Sequence, residues 1–187
     1  MIRFVLGFFV ALVVLAVIGT IIMFTGAYNV AASARHSALE NWVLTTTMRN
    51  SVQRRAGDIA VPASITEDQV RHGFAQFRDS CVHCHGAPGV DATDWAQGLQ
   101  PEPPYLPDMI RSRTPAQLFW VVRNGINMTA MPAFGKHHGD RDIWGVVGFI
   151  QRLPDMSAEE YARLGREADE AGQATGAVPA PTTSPNP

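Results

Sequence analysis

From Phe4 to Phe24 the chain reads FVLGFFVALVVLAVIGTIIMF, without a charge or a proline. A helix over this run, at ~1.5 Å per residue, spans roughly the ~30 Å hydrocarbon core of a bilayer. Beyond it the apolar positions become periodic and are punctuated by caps. Ser37 and Glu40 form a capping box and Gly57 a stop, which predicts a helix over 38–56, with Arg54 and Arg55 in its dipole-favoured last turn. Leu39, Trp42, Val43 and Val52 are read as sharing roughly one face, and DIAVP as an extended linker. Thr66 with Gln69 opens a second external helix that runs into Ser80 and buries Val70, Gly73, Phe74 and Phe77. Thr114, Pro115 and Gln117 start a third, carrying Leu118, Phe119, Val121 and Val122 to a stop at Asn124-Gly125. Asp140 is read as the cap of a fourth, RDIWGVVGFIQRL, stopped by Pro154. Ser157 and Glu160 cap a short fifth. The end, GQATGAVPAPTTSPNP, lacks the apolar residues to fold and is expected to be disordered. No strand pattern of any length appears. The expectation is an all-α chain: an anchor over 1–26, a helical spacer and linker over 27–64, a small helical domain with much loop over 65–157, and a short helix with a disordered tail over 158–187.

Composition refines this picture mainly at the amino terminus. A secretory signal has an apolar run of only ~7–15 residues and a nearby small-residue cleavage site. AASA at 31–34 offers such a site at Ala32 and Ala34, but it lies far past a run that is itself too long. The run is therefore read as an uncleaved, single-pass anchor in contact with lipid through residues 4–24. Arg3 favours the cytoplasm for its amino-terminal end and places everything after the span outside. Residues 1–64 carry Arg3, Arg35, Arg49, Arg54 and Arg55 against only Glu40 and Asp58, whereas the whole chain has a net charge of −2. No region is basic enough for nucleic acid. With 2 cysteines in the chain a disulfide framework is excluded.

Both cysteines fall in DSCVHCHGAPG, at Cys81 and Cys84, with His83 between them and His85 next. Three chemistries compete. Structural zinc wants four ligands, usually as two spaced pairs, and only one cysteine pair exists. A redox-active dithiol belongs at a helix start after a strand, and here a helix precedes the motif. Covalent haem attachment fits better. On a helical turn Cys81 and Cys84 are i,i+3 and face the same way, suited to two thioethers on the haem vinyl groups. His85 follows Cys81 by four and can place a ring nitrogen under the iron. His83 reads as an exposed spacer. A helical domain this small also gains stability from an apolar ring on which Phe119, Trp120, Phe134 and Trp144 can pack.

For the remaining iron position the candidates are Met109, Met128, Met131, His137 and His138. In NGINMTAMPAFGKHHG, Met131 precedes a proline, which favours an extended, fixed backbone, and it sits in a loop between two helices. Met131 is the leading candidate and Met128 the reserve. A paired-histidine site using His137 or His138 stays open. Trp95, Tyr105, Arg111 and Arg113 could hydrogen-bond haem propionates, although each is equally well read as an ordinary surface residue.

The stretch from about 66 to 153 resembles a class I c-type cytochrome through GFAQFRDSCVHCHG, NGINMTAMPAFG and DIWGVVGFIQRLP, in that order. The resemblance implies that the first domain helix, with Gly73 and Phe77, crosses the last, with Val146 and Phe149, around one covalent haem c. Together with GAYNVAA, MRNSVQRRAGDIAVP and PPYLPDMI, the chain resembles bacterial single-span, membrane-anchored monohaem cytochromes. Soluble members of the family lack the 38–56 helix and the acidic tail. The implied function is a carrier of single electrons between respiratory or dehydrogenase partners, in the bacterial inner membrane with its haem domain in the periplasm. It is not itself an enzyme. A second reading is an obligate subunit of a larger membrane oxidoreductase, in which the 38–56 helix docks a partner and His36 serves proton or quinol chemistry rather than being merely solvated. A third, a haem enzyme or gas sensor, needs an open iron site.

Overall fold

The computed structural model describes residues 1–174. It divides into two compact units, 1–36 and a second beginning at Ser37.

The first unit is built on α1 (Ile2–Thr25), which is long and apolar enough to cross a membrane. None of its residues is buried within the protein. Its two threonines need no water, because Thr20 Oγ1 donates to the Ala16 carbonyl (2.8 Å) and Thr25 Oγ1 to that of Ile21 (2.7 Å). In an apolar solvent a helix that satisfies every polar group internally is the permitted form. Gly26 ends it in the left-handed conformation, φ 67°.

The second unit begins with α2 (Ala38–Ala56), opened by the expected capping box. The Ser37 N–H donates to Glu40 Oε2 (2.7 Å) and the Glu40 N–H to Ser37 Oγ (3.3 Å). Val52 and Ala56 are buried where α2 packs on α7 (Pro115–Asn124). Leu39, Trp42 and Val43 stay exposed, so they do not share a face with Val52. Over the thirteen positions from Leu39 to Val52, at ~100° each, the helix turns Val52 well away from Leu39.

The centre of the unit is the crossing of α3 (Glu67–Ser80) and α8 (Asp140–Ile150), the pair in most extensive contact. Phe74 and Phe77 from α3 meet Phe149 from α8, each with ring centroids 5.1 Å apart. Phe77, Val147 and Phe149 are essentially sealed from solvent. Burying each phenyl contributes on the order of 2–3 kcal/mol. Asp140 opens α8 without capping it. Its carboxylate accepts from Arg123 Nε (2.9 Å), and Asp142 Oδ2 takes the Gly139 N–H instead (3.3 Å). The helix stops at Ile150, and a single 3-10 turn, 153–155, carries the chain past Pro154.

Between α3 and α7 the chain forms three short helices, α4 (Val82–His85), α5 (Asp94–Gln97) and α6 (Leu106–Met109), followed by a 3-10 turn over 110–112. Leu106 and Ile110 are buried and pin the end of this loop-rich stretch to the core. Among the described residues no strand forms; Ala87 and Val90 make one isolated bridge.

The last described helix differs most from expectation. α9 (Ala158–Ala174) has 17 residues rather than being short, and it belongs to the domain core. Tyr161 lies among Phe74, Phe77 and Phe149, with its ring 5.6 Å from that of Phe74. Arg78 of α3 ties the helix down through Asp169 (2.7 Å) and the Gly165 carbonyl (3.2 Å). Of the segment expected to be disordered, Gly172 to Ala174 complete α9; residues 175–187 lie outside the described residues.

Candidate functional site

Cys81 ends α3 and Cys84 and His85 lie in the single turn of α4, closed by hydrogen bonds from the Cys84 and His85 N–H groups to the Cys81 carbonyl (3.1 and 3.0 Å). Gly86 then reverses the chain at φ 63°. A side chain there would collide with the Val90 carbonyl and the ring of Tyr105. The ring thus lies against the motif, and brings the proline-rich loop with it.

That loop supplies the deciding contact. His85 Nδ1 lies 2.8 Å from the carbonyl oxygen of Pro104. A carbonyl can only accept, so Nδ1 carries the proton and Nε2 keeps its lone pair. This is how a protein presents a histidine to a metal: one nitrogen fixed by a backbone acceptor, the other free to ligate. Burial lowers the His85 pKa, opposed by the Pro104 contact, and so favours the neutral, ligating form. The Pro104 carbonyl was missed from sequence. The available signal was the prolines at 103 and 104, whose rings fix φ and so the direction of the peptide groups.

Cys81 and Cys84 are not joined to each other in a disulfide. Burial, reinforced by the neighbouring Cys84, pushes the Cys81 thiol up to about 12, and burial also raises Cys84. Redox-active dithiols show the opposite shift, toward thiolate. Nor do Cys81, Cys84 and His85 converge on one point, since among the described residues no group of three such side chains could hold an ion. Two thiols and an imidazole on one turn, not aimed at a common centre, fit a planar group held at its edge by sulfur and at its middle by nitrogen. Cys81 also borders a small cavity with Gln76, Val122 and Phe134.

The other candidates separate clearly. Met128 is 90% exposed at φ 60°. Met131 packs against the core, and its backbone is fixed on both sides. Its N–H donates to Thr129 Oγ1 (3.1 Å), and its carbonyl accepts from Ile126 (3.2 Å). Gly125, at φ 66°, lies so close to that carbonyl that no side chain fits. Met109 also lines the core. His137 is exposed, and His138 Nδ1 is engaged by the Gln76 amide (3.2 Å). Arg111 is committed to Asp155 (2.6 Å) and the Pro154 carbonyl (3.1 Å). Trp95 and Tyr105 are exposed, and Arg113 is half-buried. Phe119 and Trp144 stack on each other at 4.3 Å between ring centroids, while Trp120 and Phe134 are half-buried.

Residues 68–150, from the start of α3 to the end of α8, match the family described as cytochrome c oxidase, cbb3-type, subunit III. The domain is a class I c-type cytochrome. No curated protein matches the chain. A cytochrome c domain transfers electrons and implies covalently bound haem c. The two thiols and the Pro104-bound imidazole fit that group.

Proposed function

We propose that the chain is a membrane-tethered carrier of single electrons, with one haem c held by Cys81 and Cys84 and ligated by His85 Nε2 and the Met131 sulfur. The observation that carries this reading is the hydrogen bond from His85 Nδ1 to Pro104. It supports the reading by leaving Nε2 of His85 free to ligate, on the same turn of chain as Cys81 and Cys84. Each link adds S–H across a vinyl double bond, so no oxidant is required. Bound haem supplies an iron that alternates between ferric and ferrous. The polypeptide's part is to hold the ligands still and limit water around them. His85 is held through Pro104, and Met131 through a loop fixed by its own hydrogen bonds. A thioether ligand favours ferrous iron and raises the potential. The anchor α1 would keep this domain at the outer face of a bacterial inner membrane, serving redox partners in or at that membrane.

The description of the matching family favours a second reading, in which the cytochrome is an obligate subunit of a membrane oxidase complex. Purification in mild detergent separates the two, because a free carrier elutes alone and a subunit brings its complex.

The test of the site is covalency. On a denaturing gel stained for haem peroxidase activity the full-length protein should keep its stain, and Cys81→Ala or Cys84→Ala should fail to yield stable holoprotein. Loss of all haem from the wild type on denaturation overturns the attachment. Rapid carbon monoxide uptake by the intact ferrous protein at neutral pH overturns the carrier in favour of a sensor or enzyme.

A further inference from the structure

The two apolar faces of α2 point in different directions. Val52 and Ala56 form the buried one, continued upstream by half-buried Met48. At ~100° per residue, Leu39 lies about 140° round the helix from Val52, Trp42 about 80° and Val43 about 180°. They are 69%, 65% and 45% exposed. Arg49 borders this patch on the Trp42 side and Arg54 on the Val43 side. Among the described residues neither arginine forms an ion pair, whereas Glu40 is occupied in the capping box.

The chain leaves α1 at Thr25 and enters α2 at Ala38. Residues 26–37, even fully extended, reach roughly 40 Å at most. A bilayer that holds α1 is therefore always within reach of the start of α2, at the high effective concentration that tethering produces. Tryptophan and aliphatic side chains flanked by arginines match the boundary between acyl chains and anionic headgroups.

We propose that the amino-terminal half of α2 lies on the surface of the bilayer that holds α1, with Leu39, Trp42 and Val43 inserted and Arg49 and Arg54 among anionic headgroups. Its carboxyl-terminal half stays packed on α7. The helix is then a strut that sets which side of the cytochrome faces the membrane and which faces redox partners. This rests on reading α1 as an anchor, and the test separates the two.

Full-length holoprotein carrying Val43→Cys is spin-labelled and reconstituted in vesicles of phosphatidylethanolamine and phosphatidylglycerol. Glu102→Cys serves as an exposed control, and wild type labelled in parallel gives the background from Cys81 and Cys84. Relaxation by oxygen, which partitions into lipid, is compared with relaxation by a water-soluble nickel chelate. If the inference holds, the protein floats with the vesicles and the oxygen-to-nickel ratio at position 43 exceeds that at position 102 severalfold. Flotation with equal ratios at the two positions overturns the α2 contact and leaves the anchor standing. The same holds if position 43 becomes protected only after other membrane proteins are added. Failure to float overturns both.

Discussion

Gly73 and Gly145 meet backbone to backbone where α3 crosses α8. A Cβ on Gly73 would overlap the Gly145 carbonyl, and one on Gly145 would come within 2.5 Å of the Gln69 carbonyl. The obstacle in each case is main chain in a helix, which cannot step aside as a side-chain tip can. The two helices can bring Phe74 and Phe77 onto Phe149 only because neither glycine carries a side chain.

Gly73→Ala should therefore destabilise the domain by about 3 kcal/mol or more, at the upper end of overpacking costs. Gly165→Ala, in the middle of α9 with open space around it, should stabilise by up to about 1 kcal/mol. Urea unfolding of the two variants beside wild type decides this. Equal and small effects would show that the crossing has slack.

Met131 and Met128 offer a comparison within one loop. Met131→Ala should abolish the near-infrared sulfur-to-iron band of the ferric protein, open the ferrous protein to carbon monoxide, and lower the reduction potential. Met128→Ala, at a 90% exposed position, should do none of these and should change stability by less than about 0.5 kcal/mol. Loss of the band in Met128→Ala alone would move the ligand by three residues without changing the function.

Tyr161 is buried, and among the described residues its hydroxyl has no hydrogen-bond partner. Burial raises its pKa, against the lowering effect of Arg78 nearby. Removing an unsatisfied buried hydroxyl while keeping the ring should be neutral or stabilising by up to about 1 kcal/mol, whereas removing the ring should cost about 3–5 kcal/mol. Thermal unfolding of Tyr161→Phe and Tyr161→Ala tests this. A clear loss in the phenylalanine variant would reveal a hidden partner for the hydroxyl.

Glu67 and Arg152 clasp the start of α3 to the chain just after α8 through two hydrogen bonds, 2.6 and 2.9 Å. The Arg152 guanidinium holds the Glu67 carboxyl below its ordinary value of 4.5. A carboxyl with a depressed folded-state pKa contributes its stability fully above the unfolded value and loses it as pH falls through the folded one. The stability difference between wild type and Glu67→Gln should thus be constant from pH 7 to about 5.5 and shrink toward zero in stronger acid. It should also be small and weakened by salt, because both groups face water. A difference that grows in acid would contradict the pairing.

Much of this protein is set by short-range chemistry and was legible in the sequence. The apolar run that becomes α1 needs only length and the absence of charge. The boxes at Ser37, Thr66 and Thr114 form between residues three apart, so they operate wherever the chain lies. The same is true of Cys81, Cys84 and His85, which one turn of helix holds together. What the tertiary structure decided are pairings between distant residues. Tyr161 joins the aromatic core because α9 folds back over α3, and nothing in its own segment signals that burial. Val52 parts from Leu39 because α7 covers only one side of α2; periodicity shows which positions align but not which side meets a neighbour. Asp140 pairs with Arg123, a partner on another helix, and Gly139 takes the cap position. The tautomer of His85 depends on the carbonyl of Pro104, nineteen residues away. A backbone oxygen has the same chemistry in every residue, and only the fold determines which one a side chain will find.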